Sequence, residues 1–188
     1  MRLYSWAMRK VIAGLGISLD FYIARPNGAV DFLFQPKDYS MSDFFKRIDV
    51  GVLGRKTYED GLKMGGNFGS YRTMQFFVFS KTLAPGTKGN VTITRESPAK
   101  VLANIRKVKG KDIWLMGGGE LVRSFLQEDL VDELHLGIVP TLIGGGRPLF
   151  PAGFPERKFK LLENKTHGKG MIALKYERVR RASGKKRR

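Results

Sequence analysis

Along most of this chain, short apolar runs alternate with stretches whose apolar residues recur at helical spacing. The runs at 11–19, 50–53, 76–79 and 91–94 read as strands. Between them, Ser42 and Asp43 are placed to cap a short helix that turns Phe44, Phe45 and Ile48 inward. Gly54-Arg55-Lys56-Thr57 turns into a second helix carrying Tyr58, Leu62 and Met64. Ser97-Pro98 starts a third in the favoured cap and first-turn order, with Val101, Leu102, Ile105 and Val108 inward and Gly110 closing it. An apolar strand at 113–116 then runs into Gly117, Gly118 and Gly119, and a helix opens at about Glu120 with Leu121, Val122, Phe125 and Leu126 on one face. A long apolar run at 134–143 ends in Gly144, Gly145 and Gly146, and two late strands, 159–164 and 171–176, flank the turn His167-Gly168-Lys169-Gly170. Arg25-Pro26-Asn27-Gly28 is a turn and 65–69 a flexible loop.

Strands alternating with helices, followed by a strand pair, predict an α/β domain: a mainly parallel twisted sheet flanked by helices, with an antiparallel C-terminal strand. No repeat or linker suggests a second domain, so residues 1–178 form one unit and 179–188 a basic tail, read as a solvated terminus. Met8 is a possible true start, because the residues after it already begin the first strand. Nothing resembles a signal peptide or approaches the ~20 apolar residues of a membrane span. The absence of cysteine excludes disulfides, zinc–thiolate sites and thiol catalysis, and fits a cytoplasmic protein.

Charge adds a second clue. The chain has 34 Lys and Arg against 17 Asp and Glu, a net +17. The residues 178–188 hold seven of these cations and no acid, so a net +10 remains without them. That excess suits a cofactor and substrate bearing phosphates. A basic tail can also touch nucleic acid, but a nucleic-acid-binding protein without turnover would need an aromatic-studded basic face that the sequence does not show.

Three segments are candidates for binding such phosphates. Strand, three glycines and helix N-terminus at Gly117, Gly118, Gly119 and Glu120 make an anion cradle, because glycine admits close backbone approach and the helix dipole favours negative charge. Gly54, Arg55, Lys56 and Thr57 stand at a second strand-to-helix edge, the usual place for ligands in open α/β sheets. Ser80 and Lys81 follow another strand and, with Arg55, form a cluster of hydroxyl and cation suited to a 2′-phosphate, favouring NADPH over NADH. Each also has a plain reading, as a tight turn or a solvated helix start. Gly14 and Gly16 lie within a strand and lack the third glycine of a dinucleotide fingerprint. His135 and His167 have no ligand partner at useful spacing and read as structural, no metal site is expected, and no hydrolase pattern is present.

These residues resemble the dihydrofolate reductase-like superfamily, and more closely the reductase domain of the riboflavin-biosynthesis deaminase–reductases, the RibD C-terminal domain family, as a stand-alone member. The carriers are Ser18-Leu19-Asp20, GRKTYE from Gly54 to Glu59, Phe79-Ser80-Lys81-Thr82, MGGGELVRSFL from Met116 to Leu126, and VDELHLGIVPTLIGGGRPLF from Val131 to Phe150. The resemblance implies a sheet of about eight strands and NADPH as cofactor. The adenosine phosphates would lie near Gly54, Arg55, Lys56, Thr57, Ser80 and Lys81, and the pyrophosphate on Gly117, Gly118, Gly119 and Glu120. It also implies hydride transfer to a small molecule, formally 5-amino-6-(5-phosphoribosylamino)uracil, with dihydrofolate as the alternative, and a homodimer. The chain departs from the family pattern at Phe21, where glycine is usual, at Phe32, where tryptophan is common, and at Met41, which takes the register of the pterin-binding acid. Asp20 and then Asp43 are the candidate polar residues of the substrate site.

Overall fold

The computed structural model describes residues 8–71 and 73–180. The chain runs β1 (Val11–Ile17), β2 (Tyr22–Ala24), α1 (Ser42–Lys46), β3 (Ile48–Gly54), α2 (Arg55–Lys63), β4 (Gln75–Phe79), β5 (Gly86–Lys88), β6 (Val91–Thr94), α3 (Pro98–Ile105), β7 (Asp112–Gly117), α4 (Gly119–Gln127), β8 (Glu133–Ile138), β9 (Arg147–Pro148), β10 (Phe159–Thr166) and β11 (Ile172–Arg178). Nine strands form one sheet in the order β10-β11-β8-β1-β7-β3-β4-β6-β5, and β2 pairs with β9 beside it. From β8 across to β6 every pairing is parallel; β10–β11, β11–β8 and β5–β6 are antiparallel. The sheet is thus mixed α/β and mostly parallel with an antiparallel C-terminal strand, with one strand more than expected.

The sheet packs apolar residues on both faces, as parallel strands covered by helices require. On one face, Val101, Leu102 and Ile105 of α3 and Leu121, Val122, Phe125 and Leu126 of α4 bury against Val11, Ala13, Val50, Val52, Ile113 and Leu115. On the other, Ile12, Leu53, Phe76 and Val78 pack with Phe68, Met74 and Phe44. Ser97 caps α3 by accepting from Lys100 N, and Pro98 takes the first turn, as the sequence predicts.

Several local expectations are corrected. Neither Ser42 nor Asp43 caps α1; Met41 stands at its N-cap, and Phe45 is exposed while Ile48 begins β3. α3 ends at Ile105, so Gly110 does not close it and Val108 is exposed. Gly110 instead lies where a side chain would strike Arg9 and Asp49. The supposedly flexible loop at 65–69 contains a short helical turn, Phe68–Ser70, with Phe68 buried. The apolar run at 134–143 belongs in its first half to β8, hydrogen-bonded between β1 and β11, and this position inside the sheet accounts for its apolar character.

Contacts with the domain continue past Arg178. Val179 N donates to Lys158 O at 2.8 Å, and Arg180 Nη1 donates to the buried Asp132 at 2.7 Å. Residues 1–7, including the segment before the candidate start, and the basic residues 181–188 lie outside the described residues.

Candidate active site

β7, β3 and β4 lie side by side and parallel, so their C-terminal ends share one sheet edge. Each end leads into a segment singled out in the sequence: Gly118, Gly119 and Glu120 after β7, Arg55, Lys56 and Thr57 after β3, and Ser80 and Lys81 after β4. With Gly54 they line one cleft of about 730 Å³. Its opposite wall is Ile23, Ala24, Gly146, Arg147 and Pro148, brought in by the β2–β9 pair.

Two helices begin in this cleft. Gly54 is the N-cap of α2 and Gly118 the N-cap of α4, and neither helix has a side-chain cap. Among the described residues α3, which begins elsewhere, is capped by Ser97. The first backbone N–H groups of a helix have no intrahelical partner. Here two such sets, with their positive dipole ends, face the same space. They are close: a β-carbon on Gly54 would lie 3.8 Å from Gly118 N, and one on Gly118 would lie 3.3 Å from Thr57 Oγ1.

The three consecutive glycines are needed for three different reasons. Gly117 has φ +109°, a conformation that side chains disfavour. Gly119 meets the carbonyl of Pro148, which a β-carbon would approach to 2.1 Å. Gly118 has φ −66° and ψ 178°, open to any residue, and meets nothing nearer than Thr57. Its missing side chain is what keeps the cleft open between the two helix starts. The Gly117–Gly118 peptide is cis.

The cations of the cleft are partly engaged. Arg55 Nη1 donates to both carboxylate oxygens of Glu59, at 3.0 and 2.8 Å. Arg147 pairs with Asp60 at 2.5 Å, and Glu120 pairs with Arg123. Lys56 and Lys81 have no partner among the described residues. Ser80 is buried; its hydroxyl accepts from Thr82 N and Leu83 N and lies 3.4 Å from the Thr82 hydroxyl, so it shapes the turn.

The two candidate acids fall elsewhere. Asp20 lies outside the cleft: it accepts from the Ser18 hydroxyl at 2.6 Å and from Gly144 N at 2.8 Å, pinning the first loop to the Gly144 loop. The Ser18 hydrogen bond holds its carboxyl below the usual range. Asp43 is almost fully exposed, pairs with Lys46 at 2.9 Å, and lines a second cavity of about 690 Å³.

This second cavity joins the first at Gly14, Leu15, Gly16, Leu33 and Trp114. The glycines in β1 permit that junction. Gly14 sits beneath Phe44 and Trp114, and Trp114 Nε1 donates to Gly14 O at 2.8 Å. Phe44 meets the Trp114 ring edge-on at 5.5 Å and the His135 ring at 5.7 Å. Further round stand Tyr39, Asp38 and His167, the last two 3.2 Å apart.

His135 Nε2 lies 2.9 Å from Glu133 Oε2. Burial pushes the Glu133 carboxyl up, but hydrogen bonds from His135 and Lys10 and the charges of Arg47 and Lys10 outweigh it, and hold it at about 2. The sequence reading passed over this pair. Its signal was the spacing: residues two apart in a strand share a face, so Glu133-Leu134-His135 places acid and imidazole together.

Comparison with known proteins identifies the family and the fold. The model of the RibD C-terminal domain matches residues 9–173. The uncharacterized protein YwjB of Bacillus subtilis is 34% identical over 174 residues, covering 91% of this chain and 99% of that protein. A crystal structure from Shewanella sp. PV-4, of a protein named for riboflavin biosynthesis, superposes with a TM-score of 0.79 at 26% identity, covering 91% of this chain and 99% of that one. The dihydrofolate reductase of Enterococcus faecalis, solved with NADP(H) and RAB-propyl, shares the fold at a TM-score of 0.63 and 16% identity, covering 90% and 96% of the two chains.

Proposed function

The chain belongs to the RibD C-terminal domain family, and from that premise we propose that it is a cytoplasmic, homodimeric reductase that uses NADPH to reduce a small heterocyclic substrate. The observation that carries this reading is the pair of uncapped helix N-termini, at Gly54 and Gly118, that face one cleft across a glycine with no side chain. A pyrophosphate has the charge and the acceptor oxygens those donors lack.

In this reading the N–H groups at the start of α4, framed by Gly117, Gly118, Gly119 and Glu120, hold the pyrophosphate. Gly54, Arg55, Lys56, Thr57, Ser80 and Lys81 hold the adenosine end and its 2′-phosphate. The cofactor supplies the hydride; the protein positions and excludes water. The nicotinamide end reaches the junction at Gly14, Gly16 and Trp114, where the second cavity begins. Phe44, Trp114 and Tyr39 give that cavity the flat apolar walls that suit a heterocycle. Asp43 stands at its edge, whereas Asp20 serves by fixing the loop at Gly144.

The formal substrate is a ribosylated aminouracil phosphate. Dihydrofolate is the second reading, favoured by the carboxylates of Asp38 and Asp43 on the cavity wall. Titration of NADPH and NADH onto the chain tests the cofactor assignment, followed by NADPH oxidation with both substrates. NADPH is expected to bind about 10–100-fold more tightly than NADH, the equivalent of a charge-assisted contact of ~1.5–3 kcal/mol. Arg55→Ala should remove much of that preference. Equal affinity of the unaltered chain for the two cofactors would defeat the assignment.

A further inference from the structure

We propose that His135, set by Glu133, donates the proton that completes the reduction. This rests on the reading of the two cavities as cofactor cleft and substrate cavity.

The placement follows from the sheet register. In β8, His135 pairs with Gly14 of β1 on one side and with Lys175 of β11 on the other, and Lys175 pairs in turn with Glu163 of β10. Residues in register across a sheet share a face, so Glu163, Lys175, His135 and Gly14 form a row. The row ends at the glycine where the two cavities meet. His135 therefore stands next to the junction, lining the second cavity with its ring against Phe44.

The chemistry follows from the hydrogen bonds. A carboxylate accepts only, so Glu133 fixes a proton on Nε2. Nδ1 has no partner among the described residues, and is the nitrogen left for the cavity. In the imidazolium form, Nδ1 carries a transferable proton while Nε2–H stays on Glu133. The charged and titratable groups around this pair are Lys10 just before β1, Arg47 after α1, Asp43 and Lys46 on α1, Asp112 on β7, Glu163 and Lys165 on β10, and Lys175 and Glu177 on β11. Lys10 and Arg47 hold Glu133 ionised, and Lys175 is tied to Glu163 at 2.6 Å, which leaves the imidazole as the group of this row with a nitrogen free toward the cavity.

The step balances. The C=N or C=O π bond of the substrate breaks as its carbon receives the hydride, and the dihydronicotinamide leaves oxidised. The electron pair left on nitrogen or oxygen takes the proton from Nδ1, and neutral His135 is reprotonated from water.

The test is single-turnover NADPH oxidation by the full-length chain between pH 5 and 9, with 7,8-dihydrofolate and the ribosylaminouracil phosphate as probes. His135→Gln should slow the reduction step roughly 100-fold or more, the scale of a lost general acid, with NADPH affinity and melting temperature unchanged. The wild-type rate should fall as pH rises, and Glu133→Gln, which removes the group that favours imidazolium, should move that fall to lower pH. An unchanged rate in His135→Gln overturns the proposal. If the wild type binds NADPH but reduces neither probe, side-chain nitrogen NMR decides: the chain has only two histidines. His135 must then show a proton on Nε2 and an Nδ1 signal that moves when either probe is added. A ring protonated on Nδ1 but not on Nε2, or an Nδ1 signal indifferent to both, overturns it. Failure to bind NADPH removes the cofactor reading instead and leaves the test of the Nε2 proton standing.

Discussion

Gly119 lies so close to Pro148 that a β-carbon on the glycine would stand 2.1 Å from the proline carbonyl oxygen. This contact joins the start of α4 to the small β2–β9 pair and so closes the far wall of the cleft. Gly119→Ala is expected to be a stability mutation, costing about 1–3 kcal/mol by overpacking and lowering the melting temperature by several degrees with or without NADPH. A melt within a degree of wild type would show that the wall moves freely and does not shape the cleft.

Glu133 links folding to acid pH. Its carboxyl is held at about 2, against an ordinary 4.5. A depressed acid contributes stability above its unfolded value and loses it as pH falls through its folded value. That contribution is on the order of 3 kcal/mol at most, present above pH 4.5 and lost progressively towards pH 2. Chemical denaturation at pH 6, 4 and 3 should show the loss, and Glu133→Gln should flatten that part of the curve. A variant with the same acid dependence as wild type would contradict this assignment.

The C-terminus divides at residue 181. A chain cut after Arg181 should bind NADPH and melt like the full-length protein. A cut after Glu177 removes Arg178, which holds Asp129 at 2.7 Å, and Arg180, which holds Asp132. Asp132 is buried and also receives Val11 N, so this cut should cost roughly 2 kcal/mol or more. Loss of NADPH binding on the shorter removal alone would bring the basic tail into the site.

A homodimer of this chain would not be built through β8. β8 lies inside the sheet, so its apolar run requires no partner. β10 is one of the two edge strands of the sheet, and Leu161 and Leu162 stand open on it. Sedimentation at micromolar concentration should give the mass of two chains, and Leu161→Glu should give one. A wild-type mass of one chain would settle the question against a dimer.

The large elements were legible because burial on both faces writes long apolar runs into parallel strands, and because Ser97-Pro98 is an explicit helix start. β5 and the β2–β9 pair were not: Gly-Thr-Lys and Arg-Pro carry no apolar signal, and their pairing is set by distant partners. The same limit applied at the site. The glycine run could be seen, but the separate reasons for Gly117, Gly118 and Gly119 depend on a backbone angle, a gap and a carbonyl from another strand. The Glu133–His135 pair was visible only as a two-residue spacing, and its meaning depends on Gly14, about 120 positions away in sequence. Asp20, singled out by its place after the first strand, is occupied by backbone donors that no local pattern reveals.

The most direct test of the account is calorimetric titration of NADPH onto the wild-type chain and onto Gly118→Val, with a melt of each. Gly118 has an unstrained backbone, and its β-carbon would meet the Thr57 hydroxyl at 3.3 Å and Ile23 at 3.9 Å with no backbone in the way, so the variant should fold with a melt near that of wild type. Its branched side chain would fill the gap between the two helix starts. The account predicts saturable NADPH binding by the wild type and none by a folded Gly118→Val. NADPH binding by Gly118→Val at wild-type affinity would remove the glycine turn from the site and contradict the account.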